Sequence, residues 1–188
     1  MVTSAYVHIP FCRQKCNYCS FVSFANSEMI EKYLESLIKE IEHFYKGEEL
    51  KTLYLGGGTP SLLSAEQVWN IISKFKISNS TEITMELNPE SVDENYLRAI
   101  KSFGVNRLSI GCQSFDENIL KIIGRKHSPS DVEFVVKSAQ SVGFDNISLD
   151  FIYGLPNQSE DSFVSDLKRA KSLGVQHISL YGLKIEEG

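Results

Sequence analysis

The chain of 188 residues suits one domain, or most of a larger one, and its net charge of −5 argues against a surface that binds nucleic acid or an anionic membrane. No apolar run approaches the length of a membrane span, and the first residues lack the basic and apolar regions of a signal peptide. Four cysteines without a secretory signal indicate reduced thiols, so we predict a cytoplasmic globular protein with at most peripheral membrane contact.

Strands and helices alternate along the chain. Strands are predicted at 4–10, 51–56, 82–87, 106–112, 146–152 and 176–182. A helix is predicted after each of the first five strands, the first of them at 28–46, where apolar residues recur on one face. Capping-box spacings at Ser64, Ser91 and Ser130 predict three helix starts. This alternation predicts a parallel sheet with right-handed crossovers.

An internal repeat distinguishes an open sheet from a partial barrel. A glycine that ends a helix is followed at fixed spacing by Leu/Ile-Ser-Ile/Leu in three places, which begin at Gly104, Gly143 and Gly174. The repeated serines share one face of their strands with the residues two positions further on, which are Gly111, Asp150 and Tyr181. A small and polar face repeated over several strands favours the inside of a barrel with a ligand cavity over a doubly wound sheet.

Three cysteines follow the first strand in a CxxxCxxC run: Cys12, Cys16 and Cys19. Thiolates ligate iron–sulfur clusters, and a four-iron cluster held by three cysteines keeps one iron free for a non-protein ligand. Structural zinc takes four protein ligands, and the run supplies three. The spacing favours a cluster, and a zinc-binding or structural cysteine loop remains the alternative. Cys112 lies in an apolar strand and is predicted to be a small core residue.

Small and polar residues end the other strands, where parallel α/β proteins collect their chemistry. The glycine run at 56–58 lets the backbone approach a ligand, or simply turns the chain. Glu86 is a carboxylate in an apolar strand, and it needs either ligand donors or an ion pair such as one with Arg107. Arg125 is either a two-pronged clamp for a carboxylate or a solvated side chain.

Six motifs resemble those of the radical S-adenosylmethionine (SAM) superfamily, in the branch of the oxygen-independent coproporphyrinogen III oxidases and their haem chaperone relatives. In order along the chain they are YVHIPFCRQKCNYC, GGGTPS, MELNP, RLSIGCQSF, GRKHS and DFIYGLPNQ. The resemblance implies an α/β fold, a partial (β/α)6 barrel of parallel strands that forms the radical SAM core over residues 1–188. It also implies that family members continue beyond strand six into a carboxyl-terminal domain that this chain does not include.

The resemblance also implies a ligand set. It assigns Cys12, Cys16 and Cys19 to a [4Fe-4S] cluster whose open iron is chelated by the amino and carboxylate groups of SAM. The residues it places around SAM are Tyr6, Tyr18, Gly57, Thr59, Glu86, Gln113, Arg125, Asp150, Tyr181 and Leu183. Among these, it places Glu86 at the ribose and Arg125 at the carboxylate.

The resemblance implies a reaction and a choice between two roles. In this family one electron enters the cluster, and SAM is cleaved to methionine and a 5′-deoxyadenosyl radical. The oxidase then removes hydrogen from a substrate propionate, and decarboxylation leaves a vinyl group. The oxidase has a fourth cysteine where this chain has Phe21, and the run IIGRKHS is more similar to the haem chaperone group. We therefore expect a haem-chaperone-like protein of tetrapyrrole metabolism, with the decarboxylating enzyme as the alternative.

The implied partners follow from these two roles. They are haem or coproporphyrinogen III, an electron donor such as a flavodoxin or ferredoxin, and haem-acceptor proteins. Haem is thereby expected as a ligand in addition to the cluster and SAM, and no nucleic acid is expected.

Overall fold

Six parallel strands form one sheet in which each strand pairs with the next one along the chain. They are β1 (Ser4–Ile9), β2 (Thr52–Gly57), β3 (Glu82–Leu87), β4 (Arg107–Gln113), β5 (Ile147–Tyr153) and β6 (His177–Gly182). A computed structural model describes residues 2–184, and the prediction about the end of the chain, at 185–188, lies outside them. The strand bounds lie within one residue of the predicted ones.

The helices follow the strands as predicted, with two of them between β4 and β5. They are α1 (Ile30–Phe44), α2 (Ala65–Ile72), α3 (Glu94–Ser102), α4 (Glu117–Ile122), α5 (Pro129–Ser141) and α6 (Glu160–Ser172). Along α1 the buried residues are Ile30, Leu34, Leu37 and Ile41, which confirms the predicted apolar face. Within residues 2–184, none of the helices is long and apolar enough to cross a membrane.

The helix starts confirm one of the three predicted capping boxes. Ser64 caps α2 with the full reciprocal pair of hydrogen bonds. The predictions at Ser91 and Ser130 are wrong, because Asp93 caps α3 and Ser128 caps α5. At α5 the actual capping serine precedes a proline, whose fixed backbone angle suits the first position of a helix.

The two faces of the sheet differ in composition. With strands in sequential order and right-handed crossovers, the helices lie on one side of the sheet. The strand residues that face them belong to the main hydrophobic core: Val7, Ile9, Leu53, Leu55, Ile83, Met85, Leu87, Leu108, Ile110, Cys112, Ile147, Leu149 and Phe151. We call the opposite side the inner face; it carries Tyr6, Gly56, Glu86, Ser109 and Asp150. This division confirms the predicted α/β partial barrel with a polar interior.

The repeated serines share the inner face but are not all in line across the strands. Ser109 pairs with Ser148, whereas Ser179 pairs with Asp150 and His177 takes the place opposite Ser148. A displacement by two residues keeps every side chain on its face, and staggered strands accompany the closure of a barrel. The glycines that begin the three repeats have positive φ, as predicted: Gly104, Gly143 and Gly174.

Candidate functional site

A cavity of about 360 Å³ opens at the carboxyl ends of the strands. It is lined by every residue that the sequence predicted for the site. These are Tyr6, Cys12, Cys16, Tyr18, Cys19, Gly57, Thr59, Glu86, Gln113, Arg125, Asp150, Tyr181 and Leu183. The structure thus brings together residues from all six strands and the loops that follow them, while their individual roles stay predictions.

The cysteine loop between β1 and α1 is fixed at two places. At its base, Cys12 N–H donates to Phe24 O (3.1 Å), and Phe11 and Phe24 form an isolated parallel bridge beside β1. Further along, Asn17 N–H donates to Ile123 O (3.1 Å) just beyond α4. The loop is therefore held between the edge of the sheet and the segment that leads to Arg125.

The three thiols of this loop are free and partly exposed. Burial raises the pKa of the Cys19 thiol, and the neighbouring Cys12 and Cys16 act in the same direction. Within residues 2–184 no three His, Cys, Asp or Glu side chains are grouped as ligands of a single metal ion. A four-iron cluster takes each thiolate on a different iron, so its ligands need not meet at one point.

The glycine run after β2 packs closely against the cysteine loop. A Cβ at Gly58 would lie 2.6 Å from Phe11 O and 3.0 Å from Cys12 Sγ, so a larger residue would displace the loop. The next residue, Thr59, is buried and directs its hydroxyl to Cys12 Sγ at 3.5 Å. The run therefore positions the first cysteine, a function beyond that of a turn.

Glu86 lies on the inner face with two protein donors. Tyr54 O–H donates to Oε1 at 2.9 Å, and Gly57 N–H donates to Oε2 at 3.0 Å. Gly56 makes room for this arrangement, because a Cβ there would lie 2.7 Å from the Tyr54 ring and 2.9 Å from Glu86 Oε1. Burial raises the pKa of the Glu86 carboxyl, although the two hydrogen bonds act against the rise.

The predicted ion-pair alternative for Glu86 is not the arrangement observed. Arg107, the suggested partner, directs Nη1 to Thr84 Oγ1 at 3.4 Å. The carboxylate instead keeps acceptor capacity toward the cavity, since each of its oxygens carries more than one lone-pair site.

Asp150 and Gln113 extend the polar wall on β5 and β4. Ser109 O–H donates to Asp150 Oδ2 at 2.7 Å, and Ser148 O–H donates to Oδ1 at 3.3 Å. The pairing of the two strands shifts between Gly111 and Gln113, and Gln113 has a φ of 66°. This bulge ends β4 and places the amide of Gln113 at the cavity.

Arg125 has more partners within the protein than a solvated arginine would have. Its Nη2 donates to Asn88 Oδ1 and Gly111 O, both at 2.9 Å, and its Nε donates to His127 Nδ1 at 3.2 Å. Nη1 lies 3.9 Å from Cys16 Sγ. A guanidinium has five N–H groups, so these contacts leave one of them for a ligand. The predicted two-pronged clamp would need some of these bonds to change partner.

The remaining predicted residues close the cavity from two sides. Tyr6 is 59% exposed and stacks on Tyr54 with ring centres 5.7 Å apart. Tyr18 and Leu183 pack against a small apolar cluster formed by α4 and the end of β5. Tyr181 is exposed near the end of β6.

Sequence reasoning missed two residues that shape this site. Tyr54 was not predicted because its partner Glu86 lies on the neighbouring strand at a diagonal position, which only the register reveals. Gly58 belongs to the predicted glycine run, but the contacts that a Cβ would make there are with the cysteine loop. The sequence does indicate that Tyr54 lies on the inner face, because it is two residues before Gly56 on β2 and alternate residues of a strand share a face.

The fold, the polar inner face and the cysteine loop place this chain in a class of proteins: parallel α/β barrels with a cavity lined by thiols. The family model of the radical SAM superfamily matches residues 6–170. Because the match extends over most of the chain, the chain belongs to the radical SAM superfamily.

Among curated proteins, the chain is similar to heme chaperone HemW from Lactococcus lactis, with 38% identity over 189 residues, 98% of this chain and 50% of the relative. HemW from Escherichia coli is 38% identical over 192 residues, which covers 97% of this chain and 51% of the relative. The chain thus spans about half the length of the curated relatives it matches.

Solved structures show the same fold. The coproporphyrinogen III oxidase HemN from Escherichia coli, a radical SAM enzyme, superposes with a TM-score of 0.89 at 29% identity, over 97% of this chain and 44% of that one. Methylornithine synthase (PylB) superposes with a TM-score of 0.72 at 15% identity, over 99% of this chain and 55% of that one, and shows likeness of fold alone.

Proposed function

We propose that the chain binds a [4Fe-4S] cluster through Cys12, Cys16 and Cys19, binds SAM in the adjoining cavity, and serves as a haem-chaperone-like protein in the cytoplasm. The observation that carries the proposal is the convergence of three free thiols and the polar ends of the strands on one cavity of about 360 Å³. When bound, such a cluster delivers one electron to the SAM that it chelates.

The residues present fit a cluster. The thiols are uncommitted to a disulfide, and three of them leave one iron of a cubic cluster open. Gly58 has no room for a side chain beside Cys12, and Thr59 donates toward the same sulfur. The Arg125 guanidinium near Cys16 would offset the negative charge of the thiolates.

The cavity also fits SAM. Glu86 has acceptor capacity for a pair of ribose hydroxyls beyond its bonds from Tyr54 and Gly57. Its two oxygens are already oriented by those donors, so a ligand would meet a fixed carboxylate. Asp150 is oriented in the same way by two serine hydroxyls.

The haem-chaperone role rests on two supports. Relatives at 33–38% identity are named heme chaperone HemW. In this chain Phe21 stands where the oxidase pattern has a fourth cysteine, and this residue is 67% exposed and lines the cavity. We propose haem as the ligand to be delivered, a flavodoxin or ferredoxin as electron donor, and haem-requiring proteins as recipients.

A second candidate function is the oxidative decarboxylation of coproporphyrinogen III. It is favoured by the superposition on HemN, which has a TM-score of 0.89. In that role the chain would use the same cluster and SAM site but would form product.

The test is anaerobic reconstitution of the protein with iron and sulfide, followed by two parallel assays. We expect cluster assembly, stoichiometric haem binding, and little vinyl product from coproporphyrinogen III with SAM and a reductant. SAM-dependent product formation that Cys16→Ala abolishes would overturn the chaperone role in favour of the oxidase. Absence of bound iron and sulfide would overturn both roles.

A further inference from the structure

A buried histidine behind Arg125 has no part in the cofactor roles described above. His127 is only 3% exposed, and both of its ring nitrogens face polar atoms of the protein. Its Nδ1 lies 3.2 Å from Arg125 Nε, and its Nε2 lies 3.0 Å from Cys112 O. It follows the short helix α4 on the same segment as Arg125.

The partners of His127 define its protonation state. Arg125 Nε can only donate, so Nδ1 must accept, and Cys112 O can only accept, so Nε2 must carry the proton. The ring is therefore a neutral imidazole that links the arginine to the backbone of β4.

Glu90 adds a charge but no hydrogen bond to this arrangement. Its Oε2 lies 3.6 Å from His127 Nδ1, which is too long for a hydrogen bond, and this buried oxygen has no hydrogen-bond partner among the described residues. Burial alone raises the pKa of the Glu90 carboxyl, but the positive charge of the nearby Arg125 guanidinium acts against the rise, and the pKa lies below its ordinary value. Glu90 thus remains an anion that balances the partly buried guanidinium.

With Nε held by His127 and Nη2 held by Asn88 and Gly111, the plane of the guanidinium is fixed on two sides. The remaining nitrogen, Nη1, is then directed at Cys16 Sγ, 3.9 Å away. Without the acceptor at His127, the long arginine side chain would regain rotamers that move its charge away from the sulfur.

We propose that His127 is a positioning residue that holds the Arg125 guanidinium against the sulfur of Cys16, and so makes the cluster easier to reduce. The proposal rests on the proposed function, because it assumes a cluster on Cys16. One-electron reduction adds negative charge to a cluster, and a cation fixed beside one of its thiolates stabilises the reduced form.

The test compares two variants of the reconstituted protein that differ in hydrogen bonding at one position. His127→Gln retains an acceptor for Arg125 and a donor for Cys112 O, whereas His127→Leu retains bulk and loses both groups. We expect the wild-type potential in His127→Gln. In His127→Leu we expect the reduction equilibrium to fall about tenfold, about 59 mV more negative for one electron, with weaker SAM binding.

The controls separate this proposal from the proposed function and from misfolding. Iron and sulfide content of the wild type tests the cluster itself. A His127→Leu variant with wild-type iron content, potential and SAM affinity would overturn the positioning role, and so would a His127→Gln variant that behaves like His127→Leu. If His127→Leu does not fold, or if the wild type takes up no iron, the imidazole of His127 can be studied by NMR in the metal-free wild type. A proton on Nε2 supports the hydrogen bond from Arg125 Nε to Nδ1, and a proton on Nδ1 overturns it.

Discussion

The two faces of the sheet differ in their surroundings, and residues next to each other in a strand lie on different faces. Leu149 is fully buried under the helices, and Asp150, the next residue, faces the cavity. Met85 and Glu86 stand in the same relation on β3. Strand alternation therefore places a core residue and a cavity residue next to each other in the chain. Substitutions of paired neighbours should show whether this separation holds in the folded protein.

The largest effect is expected for two cysteines in different surroundings: Cys16 in the loop that lines the cavity, and Cys112 on the helix side of β4. Cys16→Ala should abolish stable cluster assembly, because it removes one of the three proposed thiolate ligands. Cys112 lies in the main core with an exposure of 0%, so Cys112→Ala should keep the cluster and lose about 1 kcal/mol of stability. Iron and sulfide analysis and urea unfolding measure the two effects.

If Cys16→Ala and Cys112→Ala lost the same amount of iron, the distinction between a cavity cysteine and a core cysteine would be contradicted. Retention of full iron by Cys16→Ala would show that another group replaces the thiolate. Circular dichroism of both variants provides the check that each is folded.

The next effect concerns Leu149 and Asp150. Leu149→Ala should reduce the free energy of unfolding by about 2–5 kcal/mol, because it leaves a cavity in the main core. Asp150→Asn should cost about 1 kcal/mol, since it weakens the bonds from Ser109 and Ser148, but should weaken SAM binding clearly. Denaturant unfolding and equilibrium dialysis with SAM distinguish them, and a reversed order of stability losses would refute the assignment of faces.

The sequence predicts the fold well because its signals are local. Alternating apolar residues locate every strand to within one residue, and the glycines at 104, 143 and 174 mark the ends of the helices that precede β4, β5 and β6. Capping was predicted less well, since Ser91 and Ser130 have the right spacing but compete with Asp93 and Ser128 nearby. Local patterns offer several candidate caps, and packing of the whole helix selects one.

Most residues that line the cavity could be predicted from the sequence, but their contacts could not. Positions at strand ends identify the cavity residues, because parallel strands all end at the same edge. The contact of Tyr54 with Glu86 depends on register between two strands, and that of Arg125 with Cys16 depends on how the cysteine loop meets the end of α4. Neither relation leaves a periodic signal in the sequence.

A smaller effect is expected at Glu86. Glu86→Gln removes the charge that is proposed to accept hydrogen bonds from SAM. The variant should therefore bind SAM more weakly by about 1.5–3 kcal/mol, roughly tenfold to a hundredfold. Because burial raises the pKa of Glu86 above 4.5, wild-type binding should weaken as the pH falls through a value higher than that of an exposed glutamate. Below that pH the variant and the wild type should converge.

Binding titrations at a series of pH values measure this dependence, and Glu82→Gln at the other end of the same strand provides a matched control. Persistence of the same pH dependence in Glu86→Gln would assign the titration to another group.

The smallest effect tests an exception, a carboxylate on the helix side of the sheet. Asp166 of α6 is buried and accepts from Ser114 O–H at 2.8 Å and Phe115 N–H at 3.1 Å, just after β4. Burial raises its pKa above 3.8, although both hydrogen bonds act against the rise. The folded protein therefore binds this proton more tightly than the unfolded chain, so stability falls as the pH rises from 3.8 through the folded pKa.

In Asp166→Asn this titration is absent, so the stability of the wild type relative to the variant should decline across that interval and stay constant above it. Each unit of pKa shift corresponds to about 1.4 kcal/mol. Urea unfolding of both proteins at several pH values measures the difference. A relative stability that rises with pH would mean that the bonds from Ser114 and Phe115 outweigh burial. Unchanged SAM binding in Asp166→Asn would show that Asp166 takes no part in binding at the cavity, as its position on the helix side of the sheet indicates.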